Sequence, residues 1–306
     1  MFLLQDERFR NHRTAARHPE SPERLRAVDQ GLNQEFPGEP RVEPRLAKFE
    51  EIATLHREDY LERVREASES SQSLDADTHT SEDSYETARL AVGGSLELSE
   101  RIVDEQTVGF GAVRPPGHHA EADRGMGFCL FNNIGLVADQ LTEEGYEVVI
   151  VDIDCHHGNG TQSMFYKRSD VLYISFHQYP FYPGTGAEDE TGRGDGEGFT
   201  FNVPLTAGSG WKELADSWER SIRDRIHDFR PDVVLVSAGF DGHVRDPLGG
   251  LNLHDEDYCR LGDDLGRWAS TLSEGRIMNL LEGGYNMEVL ERTVPKFLGA
   301  QRNAVG

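Results

Sequence analysis

The residues best able to do chemistry stand in one short run, Asp152-Ile153-Asp154-Cys155-His156-His157-Gly158-Asn159-Gly160, directly after Val148-Val149-Ile150-Val151. Four β-branched apolar residues predict a strand buried on both faces. Its abrupt change to carboxylates and imidazoles marks a strand ending in a polar site, because buried charge is costly without a metal or a reaction to use it. Side chains alternate along a strand, so Asp152, Asp154 and His156 are expected on one side and Ile153 and Cys155 on the other. Asp241, at the end of a later apolar run, completes a three-ligand metal set with Asp154 and His156, leaving a position for water and substrate as a catalytic zinc needs. Two carboxylates and one imidazole make a hard donor set, so Zn²⁺ is the first choice and Fe²⁺ the alternative. Cys155 is expected to be a buried, inert thiol. With the paired histidines His118 and His119 nearby, these motifs predict a metal-assisted hydrolase.

The elements that must position these groups alternate between strand-like and helical runs, the pattern of a parallel sheet wrapped by helices. Ser21-Pro22 predicts a helix start, with Leu25, Val28, Leu32 and Phe36 on one face. Ile52, Leu55, Leu61 and Val64 predict a second helix, residues 67–83 a loop that serves first as a connection and second as a place for Asp75 or Asp77 on a pocket rim, and 84–104 a further helix. Val108–Val113 reads as a strand feeding Arg114-Pro115-Pro116-Gly117-His118-His119, a rigid turn that neither a helix nor a central strand can accommodate. A helix through Ile134 to Leu141 stops at Gly145. Val171–Phe176 reads as a strand ending in His177, followed by an aromatic loop with Tyr179, Phe181 and Tyr182. The acidic, glycine-rich stretch Gly184–Gly198 reads as a solvated excursion. Trp218, Ile222, Ile226 and Phe229 predict a core-facing helix, Asp232–Gly239 a strand, Tyr258 to Leu272 a helix and Ile277–Leu281 the last strand. Asn286 is placed to cap a final helix. Strand ends near 113, 154, 177, 239 and 281 all deliver polar residues to one type of edge.

Bulk properties narrow the classes. The 306 residues fit one α/β domain, 1–306, with no evident linker. A net charge of −24, with 27 of the 31 basic residues arginine, argues against direct nucleic-acid binding. It reads first as adaptation to high salt and second as attraction for cationic substrates. Three scattered cysteines, a short apolar N-terminal run followed closely by acids, and the lack of a ~20-residue apolar span lead to an expectation of a cytoplasmic protein without a membrane anchor.

The blocks Arg114-Pro115-Pro116-Gly117-His118-His119, Gly127-Phe128-Cys129, Asp152 through Thr161, Ser237-Ala238-Gly239-Phe240-Asp241, Gly283-Gly284-Tyr285 and His18-Pro19-Glu20-Ser21-Pro22-Glu23-Arg24-Leu25 together resemble the signature blocks of the histone deacetylase and acetylpolyamine amidohydrolase family. The resemblance covers most of the chain in the right order. It implies an arginase-like fold, a central parallel sheet of about eight strands flanked by helices, and one catalytic Zn²⁺ on Asp154, His156 and Asp241. It makes His119 the group that takes a proton from the attacking water and returns one to the leaving amine, with His118 as electrostatic support oriented by Asp152. Asn159, where some members carry aspartate, resembles the class II-like branch. Tyr285 becomes the oxyanion donor. Phe128 and Tyr182 become walls of an alkyl tunnel, and Gly127 an acceptor for the substrate amide. Asp152 and Ser175 resemble part of a structural K⁺ site.

The expected reaction is hydrolysis of an N-acetyl amide on a primary amine. Leu248 stands where polyamine-selective relatives are expected to carry an acidic gatekeeper, which favours acetyl-lysine of proteins over acetylpolyamines. The acidic surface leans the other way. A binuclear manganese ureohydrolase and a catalytically silent acetyl-amine binder are the remaining alternatives; the sequence leaves oligomeric state open.

Overall fold

The apolar runs pair into a single eight-stranded sheet in the computed structural model, which describes residues 1–218 and 222–306. Its strands are β1 (Phe2–Leu4), β2 (Arg41–Val42), β3 (Val108–Gly111), β4 (Val148–Asp152), β5 (Val171–Gln178), β6 (Thr200–Leu205), β7 (Val233–Ala238) and β8 (Ile277–Leu281). They lie in the order β2-β1-β3-β8-β7-β4-β5-β6, and every neighbouring pair is parallel. All strand C-termini therefore open on the same edge, which is why widely separated motifs can share a site. β4 is an interior strand buried along its whole length, with Asp152 in register with Ser175 on one side and Ser237 on the other.

Helices cover the sheet, as the continuous apolar strands require. They include α1 (Pro22–Glu35), α2 (Phe49–Ile52), α3 (Glu58–Glu69), α4 (Ser84–Glu105), α5 (Asn133–Glu143), α6 (Asn159–Phe165), α7 (Trp211–Ser217), α8 (Arg223–Phe229), α9 (Asp255–Leu272) and α10 (Met287–Val305). Pro22 opens α1, and Asn286 caps α10 by accepting from the Val289 amide at 3.2 Å. None of the described helices is long and apolar enough to cross a membrane.

Several expectations change in detail. The helix expected over Ile52 to Val64 is two helices, α2 and α3, and α3 runs to Glu69, so the loop starts at 70 rather than 67. The strand after Val108 stops at Gly111, and β4 stops at Asp152, so strand alternation does not extend to His156. Trp218, Ile222 and Ile226 are buried, with Trp218 stacked on Trp268 at 4.3 Å, but the helix expected there is split between α7 and α8, and residues 219–221 lie outside the described part. Gly184–Gly198 is more than a solvated excursion. Glu190 within it accepts from the Gly186 and Ala187 amides at 3.1 Å and from Gln162 Nε2 at 2.6 Å, which ties the loop to α6.

Candidate functional site

β4 ends at Asp152, and the next four residues turn across the C-terminal edge of the sheet. The Asp154 amide donates to Asp152 Oδ1 at 3.1 Å, and the His156 amide donates to Asp154 Oδ1 at 2.9 Å, so the acids themselves shape this turn. Asp241, just beyond β7, accepts from the Cys155 amide at 2.8 Å, and Asp154 Oδ2 accepts from the Gly283 amide, just beyond β8, at 2.7 Å. Three adjacent strand ends are thereby bonded together. Each of Asp154, His156 and Asp241 offers one ligand atom, and these atoms lie within 4.8 Å of one another. His156 Nδ1 is 3.2 Å from Asp154 Oδ1 and 2.9 Å from Asp241 Oδ2.

The electrostatics identify this as a place for positive charge. Burial works against a charged His156, yet the Asp154 and Asp241 carboxylates outweigh it and carry the imidazole up to about 10. Asp154 is driven well below the carboxylate range: burial opposes ionisation, but the His118 and His156 rings overcome it. Burial and the neighbouring Asp154 charge push Asp241 up to about 7. Two nearly solvent-free carboxylates side by side favour positive charge between them, whether from the His156 ring or from a bound cation. Oxygen and imidazole donors in this arrangement fit a divalent ion of the Zn²⁺ or Fe²⁺ type. Cys155 faces elsewhere, with Sγ 3.8 Å from Gln178 Oε1, and burial raises its thiol, as expected of an inert residue.

Beside this cluster the two histidines occupy different environments. His118 Nδ1 donates to Asp152 Oδ2 at 3.0 Å, and Tyr173 donates to the same oxygen at 3.1 Å. Burial alone would lower His118, but Asp152 and Asp154 carry it up to about 10. His119 Nδ1 lies 2.8 Å from Asn159 Oδ1; burial, then the His118 and His156 charges, hold it well below the usual imidazole range. One ring is thus held towards its cationic form while the other is kept neutral, the separation that acid–base chemistry uses.

Of the remaining residues singled out in the sequence, Gly127 and Tyr182 lie against the His119 ring. A Cβ on Gly127, whose φ is +55°, would overlap His119 Cδ2, so only glycine lets the chain pass this close. Phe128 sits edge-on to Tyr285 at 5.9 Å, and Tyr182 edge-on to His119 at 5.3 Å. Burial raises the Tyr285 phenol well above its ordinary value, keeping it a proton donor. Leu248 is half-buried and donates its amide to Asp246 Oδ1 at 2.9 Å. Ser175 faces His177 Nδ1 at 3.0 Å. Asp75 and Asp77 share the loop before α4, where His18 Nε2 lies 3.2 Å from the Asp77 carbonyl; His18 itself is edge-on to Phe128 at 4.7 Å.

Sequence reasoning missed several supporting residues. Phe181 stacks on His156 at 5.2 Å, more intimately than Tyr182, whose ring is edge-on to it at 6.2 Å. Asp246 holds the Tyr285 amide at 2.6 Å. Arg24, fully buried, donates from Nε to the Gly284 carbonyl at 2.6 Å and from Nη2 to the Glu282 carbonyl, and its guanidinium lies 5.0 Å from the Tyr285 ring. Glu20 takes both Arg24 and a two-pronged Arg114. Only the block His18–Leu25 signalled this cluster, without assigning it a task. Glu282, which burial pushes up to about 7, accepts from the Gly117 and His118 amides at 2.8 and 3.2 Å.

This geometry has close parallels. The family profile described as the histone deacetylase domain matches residues 18–300. A probable deacetylase of Archaeoglobus fulgidus is 36% identical over 292 residues, covering 94% of this chain and 81% of that protein. Histone deacetylase 14, chloroplastic, of Arabidopsis thaliana is 35% identical over 302 residues, covering 90% of this chain and 71% of its own. The crystal structure of the HDA15 HD domain superimposes with a TM-score of 0.93 at 36% identity, covering 99% of this chain and 89% of that one. An eight-stranded arginase-like sheet, a carboxylate–imidazole cluster at its C-terminal edge and matches along almost the whole sequence lead to one conclusion: this chain belongs to the histone deacetylase family and is a hydrolase acting on amide bonds.

Proposed function

We propose that residues 1–306 form one zinc-dependent amidohydrolase domain that removes acetyl groups from N-acetylated primary amines, with acetyl-lysine side chains of proteins as the substrate. The observation that carries this reading is the convergence of Asp154, His156 and Asp241 to within 4.8 Å, with the His119 ring 6.2 Å from that of His156 and Tyr285 two residues beyond Gly283, whose amide donates to Asp154. A divalent ion held by the three would supply Lewis acidity for a carbonyl and make water a nucleophile near neutral pH. The protein's own part is positional and protonic. His119, kept neutral, accepts a proton at its free ring nitrogen and returns it to the leaving amine. His118, held cationic by Asp152, contributes a fixed positive charge. The Tyr285 hydroxyl donates to the acyl oxygen as it gains charge. Phe128 and Tyr182 line the approach of a narrow alkyl chain, and Gly127 accepts a hydrogen bond from the substrate amide. A K⁺ ion beside Asp152 and Ser175 is supported by Ser237 Oγ, a buried atom on the neighbouring strand without a partner among the described residues.

Leu248, where an acidic side chain would select polycations, favours acetyl-lysine. The −24 charge supports acetylated polyamines as the second reading. The three free cysteines fit a cytoplasmic setting. The test is turnover of an acetyl-lysine peptide and an acetylpolyamine side by side, with metal content measured and Tyr285→Phe as control. The reading expects faster peptide turnover and a ~10²–10³-fold loss in the variant at equal metal content. A fully active variant would overturn the assignment of Tyr285.

A further inference from the structure

Behind His119 the hydrogen bonds continue past Asn159. Asn159 Nδ2 donates to Glu121 Oε1 at 2.7 Å and lies 3.5 Å from Met126 Sδ, while Asn159 Oδ1 faces His119 Nδ1 at 2.8 Å. Arg124 Nη2 donates to the same Glu121 oxygen at 3.1 Å, and the Glu121 amide donates to the Arg124 carbonyl at 2.8 Å, closing a small turn that fixes the carboxylate. The Glu121 carbonyl is also held, by His56 Nδ1 at 2.9 Å.

An asparagine amide has two faces that differ only in hydrogen-bonding character, and either could be turned towards an imidazole. If oxygen faces His119 Nδ1, that nitrogen must carry the proton and Nε2 is left with its lone pair. If the NH₂ faces it, the tautomer is reversed and Nε2 can accept nothing. An ionised carboxylate accepts only, so Glu121 admits one orientation of Asn159, with NH₂ outward and oxygen inward. We propose that Glu121 is a positioning residue whose carboxylate, acting through the Asn159 amide, fixes His119 in its Nδ1-protonated tautomer and so leaves Nε2 as the proton acceptor. This rests on the reading of His119 as that acceptor. The relay Arg124–Glu121–Asn159–His119 gives a neutral amide the orienting role that a carboxylate plays directly behind a histidine in other hydrolases.

The test crosses Glu121→Ala with Asn159→Asp and adds Glu121→Gln. In the otherwise natural chain, Glu121→Ala lowers kcat about tenfold, the scale seen when an outer partner of a site imidazole is lost, with KM nearly unchanged. Glu121→Gln, which can still accept from Asn159 Nδ2, recovers most of that loss. In the Asn159→Asp background a carboxylate faces His119 directly and no amide needs orienting, so Glu121→Ala costs nothing or raises the rate by removing a like charge. Nitrogen-15 histidine spectra give a second reading without turnover: His119, assigned by its loss in His119→Gln, shows protonated Nδ1 in the natural chain and a tautomer mixture in Glu121→Ala. Equal losses in both backgrounds, or an unchanged tautomer in Glu121→Ala, would overturn the proposal. A fully active His119→Gln would instead overturn the reading of His119, leaving the tautomer result to judge Glu121 by itself.

Discussion

Arg24→Lys tests whether the buried arginine acts on the reaction through Tyr285. The natural side chain directs three donor positions in three directions, to the Gly284 carbonyl, the Glu282 carbonyl and Glu20 Oε1, from a position without solvent exposure. A lysine ammonium on a flexible stem cannot reproduce that fork. Glu20 keeps its two bonds from Arg114, so the damage concentrates on the two carbonyls flanking Gly283. A buried acceptor left unpaired costs about 1–3 kcal/mol, and the ammonium can serve one of the two, which puts the loss near 3 kcal/mol once the poorer fit to Glu20 is included. Unfolding entropy of about 2.1 cal/mol/K per residue over this chain gives about 0.6 kcal/mol/K, so Tm falls by about 5 °C. With Tyr285 as the proposed oxyanion donor the rate falls too, because its ring loses support; the fall is bounded by the ~10²–10³ that a missing oxyanion donor costs. The assay is kcat on an acetyl-lysine peptide for Arg24→Lys, Tyr285→Phe and the double variant, each at matched metal content, with a thermal scan alongside. If Arg24 acts through Tyr285, the double variant is no slower than Tyr285→Phe. Multiplying losses would show that Arg24 acts independently of Tyr285.

Other consequences follow from single contacts. Gly283→Ala places a Cβ where it overlaps both Asp241 Oδ2 and Asp154 Oδ2, so bound metal per chain drops along with activity; full metal content by elemental analysis would contradict the packing. His56 is held neutral at both nitrogens, Nδ1 donating to the Glu121 carbonyl and Nε2 accepting from the Asn132 amide at 2.9 Å, and burial lowers it to about 4. Because the unfolded chain binds this proton more readily, His56 costs stability progressively as pH falls from 6.5 towards 4, by up to about 1.4 kcal/mol per pH unit. His56→Gln is less stable at pH 8 but shows a shallower acid slope between pH 6 and 4.5 by up to that amount; parallel slopes in denaturant titrations would contradict the neutral assignment.

What the sequence disclosed, it disclosed through local runs. Val148–Val151 and Val233–Val236 are unbroken apolar β-branched or leucine segments, and the groups that follow them meet because every strand points the same way. β1 escaped notice because three residues carry too little pattern. β6 escaped because Asn202 and Pro204 argue against a strand, and only its place at the sheet edge tolerates the proline. α6 begins Asn159-Gly160-Thr161, poor helix formers at the point where the motif demands a sharp turn. In the site, the clustering of Asp154, His156 and Asp241 beside the histidine pair was legible as motifs. The Arg24 bonds to Glu282 and Gly284 join positions 258 and 260 residues apart, and the Asn159–Glu121 bond depends on a side-chain orientation. No periodicity encodes either.

On the proposed function, Asp154, His156 and Asp241 hold one divalent ion on which hydrolysis depends. Metal analysis of the purified chain beside Asp154→Asn, His156→Ala and Asp241→Asn, with activity before and after chelation and after adding Zn²⁺ back, tests it most directly. The expected result is one ion per natural chain, loss of activity on chelation with recovery on Zn²⁺, and little metal in any of the three variants. A natural chain active without metal, or variants that keep a full complement of it, would rule out these three residues as the holders of a catalytic ion.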